Sequence, residues 1–342
     1  MKNLRFTTLS QAVKSKIWFG NPMLTMLLIV VGATLLWMAY VFLAGLLPVP
    51  YLYLAKLASG AAIFVGVLSW LKPFQMFPRV ASIFRWYVWY CIFFIITDSL
   101  CHMVLYLTPF ASIDLGLAHA DALLGYHVPT ILAWMHVHPL LNSLSWFVYN
   151  SLIIQLIILP LVLAILGDRK SFEIMMMVNL IISVLGAICF FFLPSNDPSD
   201  VEPSQYYGAS QLDVVKQFNL VQHHIPNPFS HLGTISCPSF HTMWAIMITF
   251  ALIRHRVIFI PLLIWNILLI ISTLTTGWHF LVDVLAGIVL AALAITLASW
   301  LQRFSIEAPV VAKNKQAGGQ SDWGLNIVAV LLLFVAVIMF VW

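Results

Sequence analysis

Long apolar segments, separated by short polar turns, recur along the whole 342-residue chain. Most of them are close to the about 20 residues that an α-helix needs to cross the hydrocarbon core of a bilayer. This pattern predicts an all-α fold, a polytopic transmembrane helix bundle of about nine spans. The predicted spans cover residues 23–47, 51–71, 86–107, 140–166, 172–193, 238–253, 257–276, 278–301 and 323–342.

Two regions between the spans have a different pattern. Residues 108–139 mix aspartate and histidine with leucine, tryptophan and valine, which predicts short helices lying at the membrane surface. Residues 194–236 are the longest polar stretch, and their proline, serine and aspartate content predicts a loop rather than a span. We find no internal repeat and no segment with the pattern of a soluble domain.

The composition agrees with a membrane protein, since 62% of the residues are hydrophobic and only 8% are charged. The formal net charge is +4, but the basic residues fall in short clusters between apolar segments. Nucleic-acid binding, which uses a continuous basic face, is therefore not predicted. The four cysteines predict no disulfide framework: Cys91, Cys101 and Cys189 lie within apolar segments, and Cys237 has no evident partner.

The lysines and arginines predict how the chain is oriented in the membrane. With a cytoplasmic N-terminus, 14 of the 16 basic residues fall on one side, and only Lys56 and Lys216 do not. Basic residues concentrate on the cytoplasmic side of membrane proteins, so this orientation is the predicted one, with the two termini on opposite sides. It places His241 and His279 together at the outer, non-cytoplasmic ends of their spans.

Two polar clusters at the starts of spans carry the candidate chemistry. The first is CPSFHT at 237–242, and the second is STLTTGWHFLVDVLAG at 272–287. His279 and Asp283 are four residues apart, so on a helix they would share one face. A carboxylate on one ring nitrogen leaves the other free to attack an electrophile, and His241 could transfer a proton. The alternative is that each histidine only packs or caps at a helix start.

The same clusters contain hydroxyl groups suited to holding a phosphate. Helix N-termini present unpaired amide donors and partial positive charge, which favour an anion. Ser239 and Thr242 in the first cluster, and Thr275 and Thr276 in the second, are therefore the predicted substrate-binding residues.

No metal and no cofactor are predicted. His223, His224 and His231 fall in the polar loop without the cysteine or carboxylate spacing of a zinc site. Asp98 and His102 are one turn apart in the third span, and we interpret them as a pair that satisfies itself between helices.

At these clusters the chain resembles the type 2 phosphatidic acid phosphatase superfamily, whose members carry a Pro-Ser-Gly-His-like motif followed by His-x-x-x-Asp. The matching residues are 238–241, with Phe240 in place of glycine, and then His279 and Asp283. The amino-acid sequence of the two motifs is most similar to that of the inositol phosphorylceramide synthase branch. The resemblance covers roughly residues 115–295. It implies three parts: N-terminal transmembrane helices (1–107), a phosphatidic acid phosphatase-like catalytic domain (108–302), and a basic linker with a last helix (303–342).

The resemblance implies a role for each motif residue. His279 would be the nucleophile that takes the phosphoryl group, Asp283 would orient it, and His241 would protonate the leaving group. The phosphatases of the superfamily carry an arginine six residues before the nucleophile, where this chain has Thr273. Because arginine holds a dianionic phosphate by paired hydrogen bonds, its absence favours a phosphodiester donor.

These observations predict a membrane lipid phosphotransferase that moves a head-group phosphate from a phospholipid donor to a lipid alcohol. Its partners would be membrane lipids. The first alternative is a lipid phosphate phosphatase with water as acceptor. The second is a transporter or scaffold without activity, but broken helices and paired half-repeats, which would support transport, are not evident.

Overall fold

The computed structural model describes residues 78–223, 225 and 235–304. Within these ranges the protein is helical and contains no strand, as predicted. The helices are α1 (Pro78–Leu107), α2 (Asp114–Leu123), α3 (Val128–His136), α4 (Pro139–Leu166), α5 (Arg169–Phe192), α6 (Ala209–Gln222), α7 (Phe240–Ala251), α8 (Arg256–Thr275) and α9 (Leu281–Phe304), with one 3₁₀ turn at Pro198–Asp200.

Four of the described helices are long and apolar enough to cross a membrane: α4, α5, α8 and α9. Helix α8 exposes large aliphatic side chains at Ile260, Ile264, Ile267 and Ile271, which form a stripe along one side. Such an apolar exposed surface suits contact with lipid chains. Helix α1 has 30 residues and contains the span predicted at 86–107, but it is not among the four.

The predicted count of about nine spans is not confirmed. The segments predicted at 23–47, 51–71 and 323–342 lie outside the described residues, and so does most of the basic linker that begins at 303. The same holds for the side chain of His102, the predicted partner of Asp98.

Helix α7 is shorter than the span predicted at 238–253. Its 12 residues extend about 18 Å, against the about 30 Å of a bilayer core. The helix begins late because the Ser239 side chain caps it, accepting the Thr242 N–H at 3.3 Å. It ends at Ala251, after which the chain turns toward α8. A full span at 238–253 is therefore not confirmed.

Helix α7 lies in the centre of the bundle, packed against α4, α5, α8 and α9. Together with α5 it supplies much of the core, because α5 also packs against α1, α4 and α9. The largest fully buried side chains of these two helices include Met175, Leu180 and Ile182 from α5, and Met243 and Met247 from α7. His241, in the first turn of α7, therefore stands on a firmly packed element.

The surface regions are more helical than the sequence predicts. The short helices expected within 108–139 are present as α2 and α3. The region 194–236, predicted to be a loop, contains the 14-residue helix α6. Its buried residues Val214, Phe218 and Val221 recur at helical spacing, and Phe218 and Val221 attach α6 to the core.

Candidate active site

The predicted catalytic residues lie together at one end of the helix bundle. His241 is in the first turn of α7, and His279 lies in the turn that precedes α9. Their ring centroids are 5.6 Å apart, with the ring planes at 65°. His279 is 4% exposed, and Asp283 is fully buried. Helix α8 and its flanking turns separate the two histidines in the chain, so it is the fold that brings them into one site.

The Asp283 carboxylate holds the segment that carries His279. Its Oδ2 lies 3.5 Å from His279 Nδ1 and accepts the Phe280 N–H at 3.0 Å. It also accepts the Ser236 hydroxyl at 2.8 Å, and that hydroxyl lies 3.4 Å from His279 Nδ1. Helix α9 begins at Leu281, so His279 lies before the helix. Contrary to the prediction, His279 and Asp283 therefore do not share one helix face. Asp283 instead reaches back from the first turn, as a capping carboxylate does.

The start of α9 is occupied by a second carboxylate, which sequence reasoning missed. Asp121 of α2 accepts the Leu281 N–H at 2.7 Å and the Val282 N–H at 3.0 Å. These amides are the donors expected to favour a phosphate, and here they bind Asp121 instead. The start of α7, with the Phe240 and His241 amides in its first turn, is the other helix N-terminus at the site.

The four predicted substrate-binding hydroxyls are all found near the two histidine segments. Thr242 Oγ1 donates to Ser239 Oγ at 3.1 Å, and both residues are fully buried. Thr276 is also buried, and its hydroxyl donates to a carbonyl one turn earlier in α8 at 2.7 Å. Thr275 pairs with the Ser145 hydroxyl of α4. These contacts support helix ends, and a role in phosphate binding stays a prediction.

An aromatic side chain that was not predicted from the sequence fixes the plane of His241. Tyr149 of α4 stacks on the His241 ring, with centroids 4.4 Å apart and planes at 20°. Trp278 lies nearly parallel to Tyr149 at 6.2 Å. No local motif marks Tyr149, because its contact with His241 depends on the packing of α4 against α7.

A buried carboxylate attaches the loop that follows α5 to the site. Asp114 accepts the hydroxyls of Ser112 and Ser195, each at 2.6 Å, and the N–H of Asn196. Burial raises the pKa of Asp114 to about 7, although these hydrogen bonds oppose the shift. The Ser195 carbonyl accepts the N–H of Ser236 at 3.2 Å. The loop after α5 is therefore joined directly to the residue that bridges Asp283 and His279.

The two motif segments touch through their backbones. The Ser239 N–H donates to the Asp283 carbonyl at 3.1 Å. One turn further along α9, a Cβ at Gly287 would lie 2.8 Å from the Ser239 carbonyl oxygen and 3.1 Å from Thr242 Cβ. Glycine at 287 thus permits the close approach of α7 and α9.

Phe240 replaces the glycine of the family motif, and a glycine in α5 leaves room for its ring. A Cβ at Gly186 in α5 would lie 2.5 Å from the tip of the Phe240 ring. Phe240 is 7% exposed and its ring packs against Trp244 with centroids 5.2 Å apart. The larger residue in the motif is therefore accommodated by the core and does not fill the space between the histidines.

The described residues contain no group of three or more His, Cys, Asp or Glu side chains arranged to hold a metal ion. His223 is on the surface at the end of α6, with its Nδ1 2.7 Å from the Asn219 carbonyl oxygen. His224 and His231 lie outside the described residues.

Comparison with known proteins gives one match. The sequence model of the PAP2 superfamily matches residues 115–297, which is more than half of the 342-residue chain. Neither the curated proteins nor the solved structures give a match. PAP2 proteins are in general membrane-bound phosphatases or phosphotransferases that act on lipid phosphates, and the matched range contains both histidine segments. This chain is a member of the PAP2 superfamily.

Proposed function

We propose that the protein is a membrane lipid phosphotransferase, which moves a head-group phosphate from a phospholipid donor to a lipid alcohol through a phosphohistidine on His279. The observation that carries this proposal is the pair of imidazoles, 5.6 Å apart between centroids, with the Asp283 carboxylate beside one of them. One imidazole then acts as nucleophile, and His241 transfers protons. Membrane lipids are the only partners that the reaction needs.

The reaction has two steps. In the first, Nε2 of His279 attacks the donor phosphorus, the bond from phosphorus to the diacylglycerol oxygen breaks, and His241 gives a proton to that oxygen. In the second, the acceptor hydroxyl attacks phosphorus, the phosphorus–nitrogen bond breaks, and His241 takes the hydroxyl proton. Asp283 and Ser236 face Nδ1, so they favour the tautomer whose Nε2 carries the free lone pair. The head group stays bonded to phosphorus throughout.

The charge around the site supports a diester donor. In the described part of the chain, no lysine or arginine lies within 235–253 or 257–302. Thr273, at the position of the phosphatases' arginine, is fully buried and donates to the Ile270 carbonyl at 2.7 Å. A monoanionic phosphodiester needs less compensating charge than a dianionic phosphomonoester. We therefore favour an inositolphosphotransferase-like activity over a phosphatase.

The donor preference gives the test of the proposed function. We expect transfer from phospholipid to a lipid hydroxyl to exceed phosphate release from phosphatidic acid, because the second negative charge of the monoester has no partner. Purified protein is incubated with phosphatidylinositol, other phospholipids, ceramide and diacylglycerol, and the products are identified by mass spectrometry. Rapid phosphate release from phosphatidic acid, with no transfer product from any donor, would contradict the proposal and favour the phosphatase.

We further propose that the active site faces the non-cytoplasmic side, since this orientation places most basic residues inside. Gln205 and Lys170 are exposed at the two ends of the bundle and suit a cysteine test. We expect an impermeant thiol reagent added from outside to label the Gln205→Cys protein and to spare Lys170→Cys until the membrane is opened. The parent protein gives the background of the native cysteines. The reverse labelling pattern would refute the orientation.

A further inference from the structure

The loop that follows α5 contains buried polar atoms that the mechanism does not use. Three of these atoms form no hydrogen bond with any described residue: Asp197 Oδ2, Asn196 Oδ1 and the Tyr207 hydroxyl. Their side chains belong to residues that are 1%, 3% and 8% exposed. Because a buried polar atom without a partner is costly, three such atoms in one loop indicate that the loop is built to bind something.

The loop that carries these atoms is connected to the two-histidine site on two sides. The charge of Asp197 acts on the hydroxyls of both Tyr149 and Tyr207, and Tyr149 stacks on His241. On the other side, the neighbouring loop residue Ser195 is bonded to the segment that holds His279. Asp197 is therefore near the tyrosine that stacks on the ring proposed to transfer protons.

One carboxyl oxygen of Asp197 already has a structural role, which leaves the other for a ligand. Oδ1 accepts the Ser199 N–H at 2.6 Å and caps the short 3₁₀ turn. Burial raises the pKa of Asp197 to about 7, and the nearby Asp114 and Asp200 add to this effect. A group that donates a hydrogen bond to Oδ2 would relieve this cost.

The surrounding charge decides what kind of group fits. Asp114, Asp200 and Glu202 all lie close to Asp197 or to Tyr207. In the described range 193–223 the sole lysine or arginine is Lys216, which is exposed and paired with Asp213 at 2.9 Å, and Glu202 has the exposed His127 at 3.7 Å. The field around the unpaired atoms is therefore negative. It disfavours another anionic group and favours a hydroxyl or an ammonium group.

We propose that Asp197, Asn196 and Tyr207 form a subsite for the hydrogen-bond-donating head group of the donor phospholipid, with Asp197 as the residue that determines specificity. The inference rests on the proposed function, in which the head group stays bonded to phosphorus in both steps and must be held beside the histidines. Asp197 binds the substrate and takes no part in the proton transfers.

The experiment compares donors that differ only in the head group. Phosphatidylinositol offers hydroxyls and phosphatidylethanolamine offers an ammonium group, whereas phosphatidylmethanol has the same phosphodiester without either. We expect wild-type kcat/KM for at least one of the first two to exceed that for phosphatidylmethanol. Asp197→Asn should lower this ratio about tenfold or more, since a charge-assisted hydrogen bond is lost. The donor whose ratio falls identifies the head-group chemistry.

Two further variants separate binding from folding. Tyr207→Phe removes a hydroxyl without a described partner, so it should lower the ratio while leaving the melting temperature unchanged or higher. Glu173→Gln removes a carboxylate charge at the start of α5, where Glu173 pairs with Arg169 on the surface, and should leave the ratio as in wild type.

The outcomes distinguish the inference from the proposed function. An equal loss on all three donors in Asp197→Asn would show a structural role and overturn the subsite. An equal wild-type rate on all three donors would also overturn it, while the transferase activity would stand. A wild-type protein that transfers from no donor would overturn the proposed function, and the subsite with it.

Discussion

Replacing His279 by alanine should abolish phosphoryl transfer, with a loss of about a thousandfold or more. The nucleophile cannot be bypassed, whereas Asp283→Asn should leave some activity because Asp283 only orients and stabilises the ring. His241→Ala should lose nearly as much as His279→Ala, since proton transfer serves both steps. Activity is measured as transfer product from the preferred phospholipid donor.

A covalent label makes this test specific. With a donor labelled at phosphorus, wild type should carry an acid-labile, base-stable label, as expected for phosphohistidine, and His279→Ala should carry none. His119 in α2 is exposed, so His119→Ala serves as the matched control and should keep both label and turnover. A folded His279→Ala protein with normal activity would exclude the proposed nucleophile.

Replacing Gly287 by alanine should separate the two histidine segments and reduce activity by about a hundredfold. The new Cβ would lie 2.8 Å from the Ser239 carbonyl oxygen, a backbone atom that cannot rotate away, so α7 or α9 must shift. Overpacking of this kind also costs about 1–3 kcal/mol of stability. The measurements are kcat/KM and the thermal midpoint in detergent.

The matched control is Gly116→Ala in α2. A Cβ at Gly116 meets no atom within 4 Å, and alanine favours a helix more than glycine does. This variant should keep wild-type activity and be equally or more stable. If Gly287→Ala also behaved like wild type, the close contact of α7 and α9 would not be what positions the histidines.

The sequence predicts those parts of the fold that depend on local pattern. The length of the apolar segments identifies α4, α5, α8 and α9, because each is long and apolar enough to be recognised as a membrane span from its composition alone. It overestimates α7, whose ends are set by the Ser239 cap and by the turn after Ala251. It misses α6, although Val214, Phe218 and Val221 carry the helical spacing, because the average polarity of the loop outweighs this signal.

The contacts of the active site also divide into local ones, which the sequence predicts, and long-range ones, which it does not. The contact between His279 and Asp283 is local, and their spacing alone predicts it. The contributions of Asp121, Ser236 and Tyr149 are made across the fold, through contacts such as the one from Asp121 to the amide of Leu281. No pattern in a single sequence reports pairs so far apart, because neither partner is unusual in its own segment.

The contact between Phe240 and Gly186 has a consequence for how these two positions can vary. The motif position that is usually glycine is large here, and the facing position in α5 has no side chain. Side chains at positions 186 and 240 would occupy the same space, so the side-chain size tolerated at one position depends on the residue at the other. Restoring glycine at 240 alone would leave a cavity and cost about 3–5 kcal/mol. In homologous chains we therefore expect side-chain size at these two positions to covary in opposite directions.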